Sequence, residues 1–401
     1  MNNVNRSVTI IDRAQCFGCA SCEKVCPKGA IKMDENAEGF FYPKIDSSCV
    51  NCGLCLKHCP LMINNTPNTF SQKVFGVVLK NEDLILRSAS GGVFVGIANY
   101  ILEKKGVVYG CAYNDNFRVS HIGIESKNEL YRLQGSKYIQ SFISETYVDV
   151  KTRLEKGDTV LYSGTPCQIA GLKSYLGRDY KNLYTIDLIC HGIPSQKLFQ
   201  KYLQWLSIKN KGKIVYYSFR DKDVSGWSCD GKAKIKTKKK TKIKIIRGYC
   251  DPYYASFLRG ETYRESCYVC KYANMKRIGD ITIGDFWGVE KYYSNIDRSK
   301  GVSCCIINTE KGLDLFSTIR ERFFCFDCKK DEIAYANSNL NYPTVRPKIR
   351  DKIYYGIDGN LIEYFKTFKV KSKYIFQIKS FMSKITPKFV KKLLKEILRI
   401  I

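Results

Sequence analysis

The sequence predicts an α/β protein (α+β overall) in three parts: a small cysteine-rich module, a larger α/β domain and a basic helical tail. Three observations carry this. Residues 16–60 hold eight cysteines in two runs of identical spacing. Residues 72–350 alternate short β-branched apolar runs with helix-patterned segments, the signature of strands joined by helices. After Leu361 the chain turns rich in lysine and aromatics, with an amphipathic helical pattern beyond Pro387. The 401 residues suffice for two to three domains with a sizeable core. The expected divisions are 1–65, 72–350 and 351–401, with the polar stretch Asn64-Asn65-Thr66-Pro67-Asn68 as the first linker.

The first part reads Cys16-x2-Cys19-x2-Cys22-x3-Cys26-Pro27, then Cys49-x2-Cys52-x2-Cys55-x3-Cys59-Pro60. This is the bacterial two-cluster ferredoxin run, written twice. Three thiolates on one tight loop can cap three irons of a cubane. The fourth sits a turn further on and ligates the other cluster. Cys16, Cys19, Cys22 and Cys59 are therefore assigned to one [4Fe-4S] centre, and Cys49, Cys52, Cys55 and Cys26 to a second. A zinc ribbon needs only two ligand pairs, and neither zinc nor a disulfide knot explains two matching four-cysteine runs that each end in proline. Short strands are expected at Thr9–Ile11 and Ile31–Met33, with a turn near Asn36–Gly39. The implied chemistry is electron transfer.

Composition narrows the setting. The start, Met1 to Arg6, has no apolar signal core, and no apolar run is long enough to span a bilayer, so the nineteen cysteines read as cytoplasmic metal ligands and core residues, not disulfides. A formal charge of +28 raises the question of nucleic acid, but no reading motif accompanies it. The excess collects near 232–247 and after 364, which points to an acidic redox donor, an anionic substrate or a membrane surface.

In the second part, Val74–Leu79 and Gly106–Ala112 read as strands flanking the loop Ser90-Gly91-Gly92 and an apolar helix from Val93 to Leu102. A small-residue loop feeding a helix presents free N–H groups and suits a pyrophosphate, although Ser-Gly-Gly is also an ordinary capped turn. Gly135-Ser136-Lys137-Tyr138 is a turn carrying a cation and an aromatic ring. Cys167 follows the strand near Thr159–Ser163, and Cys190-His191 follows the strand Leu183–Ile189. Both cysteines sit where open α/β sheets place their chemistry. Lys232 to Ile246 alternates around Lys238-Lys239-Lys240 and reads as a hairpin with a lysine-protected edge. Cys267-x2-Cys270 and a glycine-flanked strand at Ile278–Gly288 follow. Cys111, Cys229, Cys250, Cys304, Cys305, Cys325 and Cys328 read mostly as small core residues.

Taken together, Ser90-Gly91-Gly92, Gly135-Ser136-Lys137-Tyr138, Gly164-Thr165-Pro166-Cys167-Gln168, Cys190-His191-Gly192, Cys267-Tyr268-Val269-Cys270 and Gly279-Asp280-Ile281-Thr282-Ile283-Gly284 resemble the beta subunits of the coenzyme F-420 hydrogenase/dehydrogenase family over roughly residues 72–350. The resemblance implies an FAD-binding α/β domain and a third [4Fe-4S] cluster on Cys167, Cys190, Cys267 and Cys270. It places FAD over Ser90, Gly91 and Gly92, with Gly135, Ser136, Lys137 and Tyr138 beside the phosphates or ring. Archaeal members of the family serve coenzyme F-420. This chain, with its fused ferredoxin part, looks like bacterial relatives met among genes for cell-surface polysaccharides, so FAD is the expected flavin and coenzyme F-420 the lesser alternative. Scaffold and substrate need not travel together.

The expected function is an oxidoreductase passing electrons from reduced ferredoxin or another redox partner through the clusters to FAD and a two-electron acceptor. The alternative is a relay subunit serving a partner enzyme. Lys137, Tyr138 and His191 are the candidate proton donors, with His191 also readable as a structural hydrogen bond beside the cluster. After Pro387, Phe389, Val390, Leu393, Leu394, Ile397 and Leu398 share one helical face and lysines the other. That suits either a peripheral anchor at the inner face of the cell membrane or a docked helix.

Overall fold

A computed structural model describes residues 7–63 and 70–370. The expected amphipathic helix after Pro387 lies outside the described residues. In the cysteine-rich part, β1 (Ile31–Glu35) pairs antiparallel with β2 (Phe41–Ile45). Their turn closes as Gly39 N–H donates to Asn36 O at 2.8 Å. Thr9–Ile11, expected as a strand, instead lies in a 3-10 turn, Val8–Ile10. The Ser7 hydroxyl accepts from the Thr9 amide, and this local bond competes with an extended conformation.

The second part builds a large mixed sheet. Its strands are β3 (Lys73–Leu79), β4 (Val107–Tyr113), β5 (Val119–Ile124), β6 (Val160–Gly164) and β7 (Leu183–Leu188). A separate three-stranded antiparallel sheet follows, from β8 (Lys213–Ser218), β9 (Asp230–Lys236) and β10 (Thr241–Arg247). The chain then returns to the large sheet with β11 (Ile281–Asp285), β12 (Ser303–Ile307) and β13 (Phe323–Asp327). Among the described residues the large sheet has eight strands in the order β13-β3-β12-β11-β7-β6-β4-β5. The four strands β4, β6, β7 and β11 run parallel, and antiparallel strands extend the sheet on both sides. β6 and β12 are buried along their whole length, as strands covered on both faces must be.

This topology puts the carboxyl ends of β6, β7 and β11 side by side. Cys167 lies just past β6, Cys190 just past β7, and Asp285 ends β11. The small sheet carries its own aromatic core against the helix Gln196–Asn210, where Phe199, Tyr202, Tyr217, Phe219 and Tyr253 interlock. Two further segments enter that core: Phe40 and Tyr42 from the β1–β2 hairpin, and Ile353, Tyr354, Tyr364 and Phe365 near the carboxyl end. Phe365 packs 5.2 Å from the ring of Trp205. Ile353, Tyr354, Tyr364, Phe365 and Phe368 are buried in this core, so packed side chains continue past 350, while Tyr355 is exposed. β10 is the edge strand of the small sheet, with Lys242, Ile243 and Ile245 exposed.

Candidate functional site

Four cavities divide the predicted site residues among themselves. Cys16, Cys19, Cys22 and Cys59 line the first. Cys26, Cys49, Cys52 and Cys55 line the second. Cys167, Cys190, Cys267 and Cys270 line the third. A cleft of about 1700 Å3, open solvent at its mouth included, takes in Ser90, Gly92, Gly135, Ser136, Lys137, Tyr138 and His191. Gly91 stands beside that cleft, its amide on Ser303 Oγ at 2.9 Å and its carbonyl accepting from Leu79 N–H at 2.8 Å.

The third cavity shows how distant segments are brought together. Pro166 opens the helix Pro166–Leu176, and Gln168 Oε1 reaches back to the Thr165 amide at 3.0 Å, so Cys167 is fixed in the first turn. Cys190 is held by β7, whose buried Asp187 receives Arg277 Nη2 at 3.0 Å and the amides of Ile278 and Gly279 at 3.1 and 2.9 Å. Arg277 also donates to Tyr272 O at 2.9 Å. One buried ion pair thus fastens the loop after Cys270 to the strand before Cys190. Cys267 ends a 3-10 turn in which its amide donates to Arg264 O at 3.0 Å.

The donor set fits a cubane. Burial, and then the neighbouring thiols, push Cys167 up to about 11 and Cys190 up to about 12. Coordination reverses that preference, since a bound metal deprotonates a thiol outright. Among the described residues no three His, Cys, Asp or Glu side chains converge closely enough for a single ion. The thiols instead stand around a space, as a multi-iron body requires. The same holds for the first cavity, where burial raises Cys19 and Cys22, and four cysteines again surround the second.

The cleft suits a long ligand with a phosphate end. The eleven-residue helix Val93–Glu103 begins at Gly92 (φ 82°) with no side-chain cap, and Val93, Phe94 and Val95 line the cleft with their first-turn amides free of helical partners. Ser90 Oγ donates to Val302 O, and Lys222 Nζ donates to the carbonyls of Ile85 and Ser90 at 2.7 Å, bracing the loop. Lys137 Nζ donates to the carbonyls of Arg132 and Gln134 at 2.9 Å, so two of its three donors hold its own turn. Tyr138 stacks on Phe257 with centroids 4.3 Å apart. His191 is exposed, and its carbonyl accepts from Thr344 Oγ1.

Sequence reasoning missed several cleft residues. Arg220 donates to both oxygens of Asp285 at 2.9 and 3.1 Å, and Trp227 Nε1 donates to the same carboxylate at 2.6 Å. Trp227 stacks on Trp287 with the rings 3° from parallel. Gly284-Asp285-Phe286-Trp287-Gly288 stood out as a motif, whereas Arg220 carries no local signal. His121, on β5, is buried with Nδ1 on Ser141 Oγ at 2.8 Å and Nε2 on Ser163 O at 3.0 Å. A carbonyl can only accept, so Nε2 carries the proton and Nδ1 accepts from the serine. Burial holds His121 down to about 4. Among the described residues no helix is long and apolar enough to cross a membrane.

Known proteins match both the cysteine-rich part and the large-sheet part of the chain. Residues 157–326 match the family described as the carboxyl terminus of the coenzyme F420 hydrogenase/dehydrogenase beta subunit, and residues 15–63 match the 4Fe-4S dicluster domain. The chain is 27% identical over 329 residues to an F(420)H(2) dehydrogenase subunit of Methanosarcina mazei, covering 78% of this chain and 84% of that protein. It is 43% identical over 53 residues to the pyruvate synthase subunit PorD of Methanocaldococcus jannaschii, covering 13% of this chain and 57% of that one. One chain in the F420-reducing [NiFe] hydrogenase complex from Methanosarcina barkeri, solved as a xenon derivative, aligns with a TM-score of 0.43 at 16% identity, covering 74% of this chain and 90% of that chain.

Proposed function

We propose, from the premise that this chain joins a 4Fe-4S dicluster domain to the carboxyl-terminal domain of a coenzyme F420 hydrogenase/dehydrogenase beta subunit, that it is an iron–sulfur flavoprotein oxidoreductase. In this reading it relays electrons from reduced ferredoxin or another redox partner to a two-electron acceptor at the cleft. The observation that carries it is a series of shared walls. Phe17 lines both the first and third cavities, and Thr165, Cys190, His191, Gly192 and Ile193 line both the third cavity and the cleft. Each of the first two cavities takes three cysteines from one run and the fourth from the other. Cubanes hand on single electrons and FAD accepts one or two, so together they would couple a one-electron supply to a two-electron reduction.

The chain's own part is positioning. Cys16, Cys19, Cys22 and Cys59, then Cys26, Cys49, Cys52 and Cys55, would hold the two ferredoxin clusters. Cys167, Cys190, Cys267 and Cys270 would hold the third. The helix start at Gly92 would receive the FAD pyrophosphate on backbone amides. His121, held neutral by burial and fixed by two hydrogen bonds, orients the floor and does not donate a proton at neutral pH. His191, on the wall between third cavity and cleft, is the candidate group best placed to meet an acceptor entering from solvent, although burial lowers its pKa as well and so favours its neutral form. The acceptor is proposed as a soluble or lipid-linked molecule of cell-surface polysaccharide metabolism.

The test is iron, sulfide and flavin per chain in anaerobically prepared protein, for wild type and Cys190→Ser. The expected result is roughly twelve irons and one flavin in wild type, with roughly four irons lost in the variant. Wild type with roughly eight irons, or folded and metallated protein that never retains flavin, would defeat the reading. The names of the relatives favour a second reading, since both curated proteins are named as subunits: the chain would then serve a partner enzyme, and turnover would need a second protein.

A further inference from the structure

Arg264 stands between two of these cavities with its charge unanswered. Its side chain is fully buried. Nε donates to Cys16 O at 2.7 Å, on the loop that walls the first cavity, while the same residue lines the third cavity beside Cys267. The guanidinium carbon lies 3.8 Å from the ring centroid of Tyr42. Both Nη1 and Nη2 are buried without a hydrogen-bond partner. Among the described residues no carboxylate pairs with it, because the nearby Glu38 and Glu265 are bound by Arg350. Arg277, the other arginine on the third cavity, is already neutralised by Asp187.

A buried guanidinium without a counter-charge is strongly disfavoured, and folded proteins keep one only where an anion or hydrogen-bond acceptors answer it. Each flanking cavity is walled by four thiols. A cubane core of charge 2+ held by four thiolates is a dianion, and one-electron reduction makes it a trianion. Such a body on either side supplies both the missing charge and sulfur acceptors for the free Nη atoms. The coupling also runs in reverse: a fixed cation favours the more negative, reduced state, and net charge and hydrogen bonds to sulfur are what set cluster potentials.

We propose that Arg264 is the shared counter-charge of the first and third clusters and raises the reduction potentials of both together. It is a positioning residue for electron transfer, and the inference rests on the cluster assignment above. The residues Arg264 meets, Cys16, Phe40, Tyr42 and Cys267, wall no part of the second cavity, so the second cluster is outside its reach.

The experiment is a redox titration followed by electron paramagnetic resonance on anaerobic full-length holoprotein: wild type, Arg264→Lys and Arg264→Gln, with iron measured on each sample. Arg264→Gln is expected to make the first and third clusters at least tenfold harder to reduce at a fixed potential, about 59 mV for a one-electron couple, and to leave the second unmoved. Arg264→Lys should stay within threefold of wild type. Unchanged potentials in an iron-replete Arg264→Gln, or an equal shift of all three clusters, overturn the proposal. If Arg264→Gln fails to hold its clusters, 15N-arginine hyperfine coupling to the reduced clusters decides. Coupling present in wild type and lost in Arg264→Lys supports the role, and none in wild type refutes it. Wild type with only roughly eight irons would sink the cluster assignment itself, and this inference with it.

Discussion

Gly171→Ala is a single-methyl test of how tightly the two modules are joined. Gly171 lies one turn past Cys167 on the helix Pro166–Leu176, and Cys19 leans on it from the ferredoxin part. A Cβ at 171 would stand 2.8 Å from Cys19 Cβ, 2.9 Å from Tyr147 Oη and 3.1 Å from Cys19 Sγ. Two effects compete. Alanine improves helix propensity by about 1 kcal/mol over glycine. Overpacking a filled interior costs about 1–3 kcal/mol, and displacing the Tyr147 hydroxyl from Gln168 O, where it donates at 2.7 Å, costs about 1 kcal/mol more. Neither neighbour is a flexible side-chain end: Tyr147 is fully buried, and Cys19 is held by its own loop.

The balance is a loss of about 1–3 kcal/mol, with the damage centred on Cys19. The measurement is denaturant unfolding of anaerobic holoprotein, paired with the rate of iron release to a chelator. The variant should unfold at lower denaturant and release iron from the first cluster faster. A variant that is more stable, by about the propensity gain, and releases iron at the wild-type rate would show that Cys19 does not press on this helix. The contact between the first and third cavities would fall with it.

Two further outcomes follow from buried charge. Arg350→Met removes a fork that donates to both oxygens of Glu38 at 2.6 Å and to Tyr263 O at 3.1 Å. Breaking such a pair costs about 3–5 kcal/mol when the stranded partner stays buried. Glu38 and Glu265 keep about a quarter of their side-chain surface exposed and can rehydrate, which places the loss near 2–3 kcal/mol; a denaturant shift worth under about 1 kcal/mol would mean the clamp does not hold the hairpin. His121 gives a pH signature. Its folded value of about 4 lies below the ordinary 6.5, so the unfolded chain binds the proton first, and stability complete above 6.5 falls as the pH drops toward 4. From pH 7.5 to 5.5 that amounts to about 1.4 kcal/mol, which His121→Gln should remove; an identical pH dependence in the variant would refute the assignment.

What could be read from the sequence followed the range of the interaction. The 4Fe-4S dicluster part was legible because the spacing from Cys16 to Cys26 and from Cys49 to Cys59 is itself local. The hairpin at 232–247 was legible because alternation and turn lie within one short window. Thr9–Ile11 misled because its apolar composition suits a strand, and only the Ser7 hydroxyl, not visible as a pattern, tips it into a turn. Arg264, Arg350 and Gly171 were silent for the opposite reason. Their partners, Cys16, Glu38 and Cys19, lie more than a hundred residues away, and no periodicity links a residue to a neighbour that the fold supplies. The packing of Tyr364, Phe365 and Phe368 past residue 350 was not legible because a lysine-rich composition hides them, and their burial depends on a groove beside Trp205.

These long-range contacts change what the cysteine-rich part is. Written as residues 1–65 it looks like a ferredoxin attached to an enzyme, yet Phe40 and Tyr42 of its hairpin are buried in the aromatic core that the helix Gln196–Asn210 organises. Phe17 packs on Tyr272 with ring centroids 5.4 Å apart, and the carbonyl of His58 accepts the Ser174 hydroxyl at 2.6 Å. A freely docking electron carrier would present polar surface here, because interfaces that must release are wet and weakly apolar. Instead the first cavity borrows Arg264 across the junction, and the third is walled in part by Phe17. Separating the two parts would open both cavities, strip the aromatic hairpin of its cover and leave Arg350 facing no Glu38. The junction is therefore packed protein, and residues of the two parts share one core.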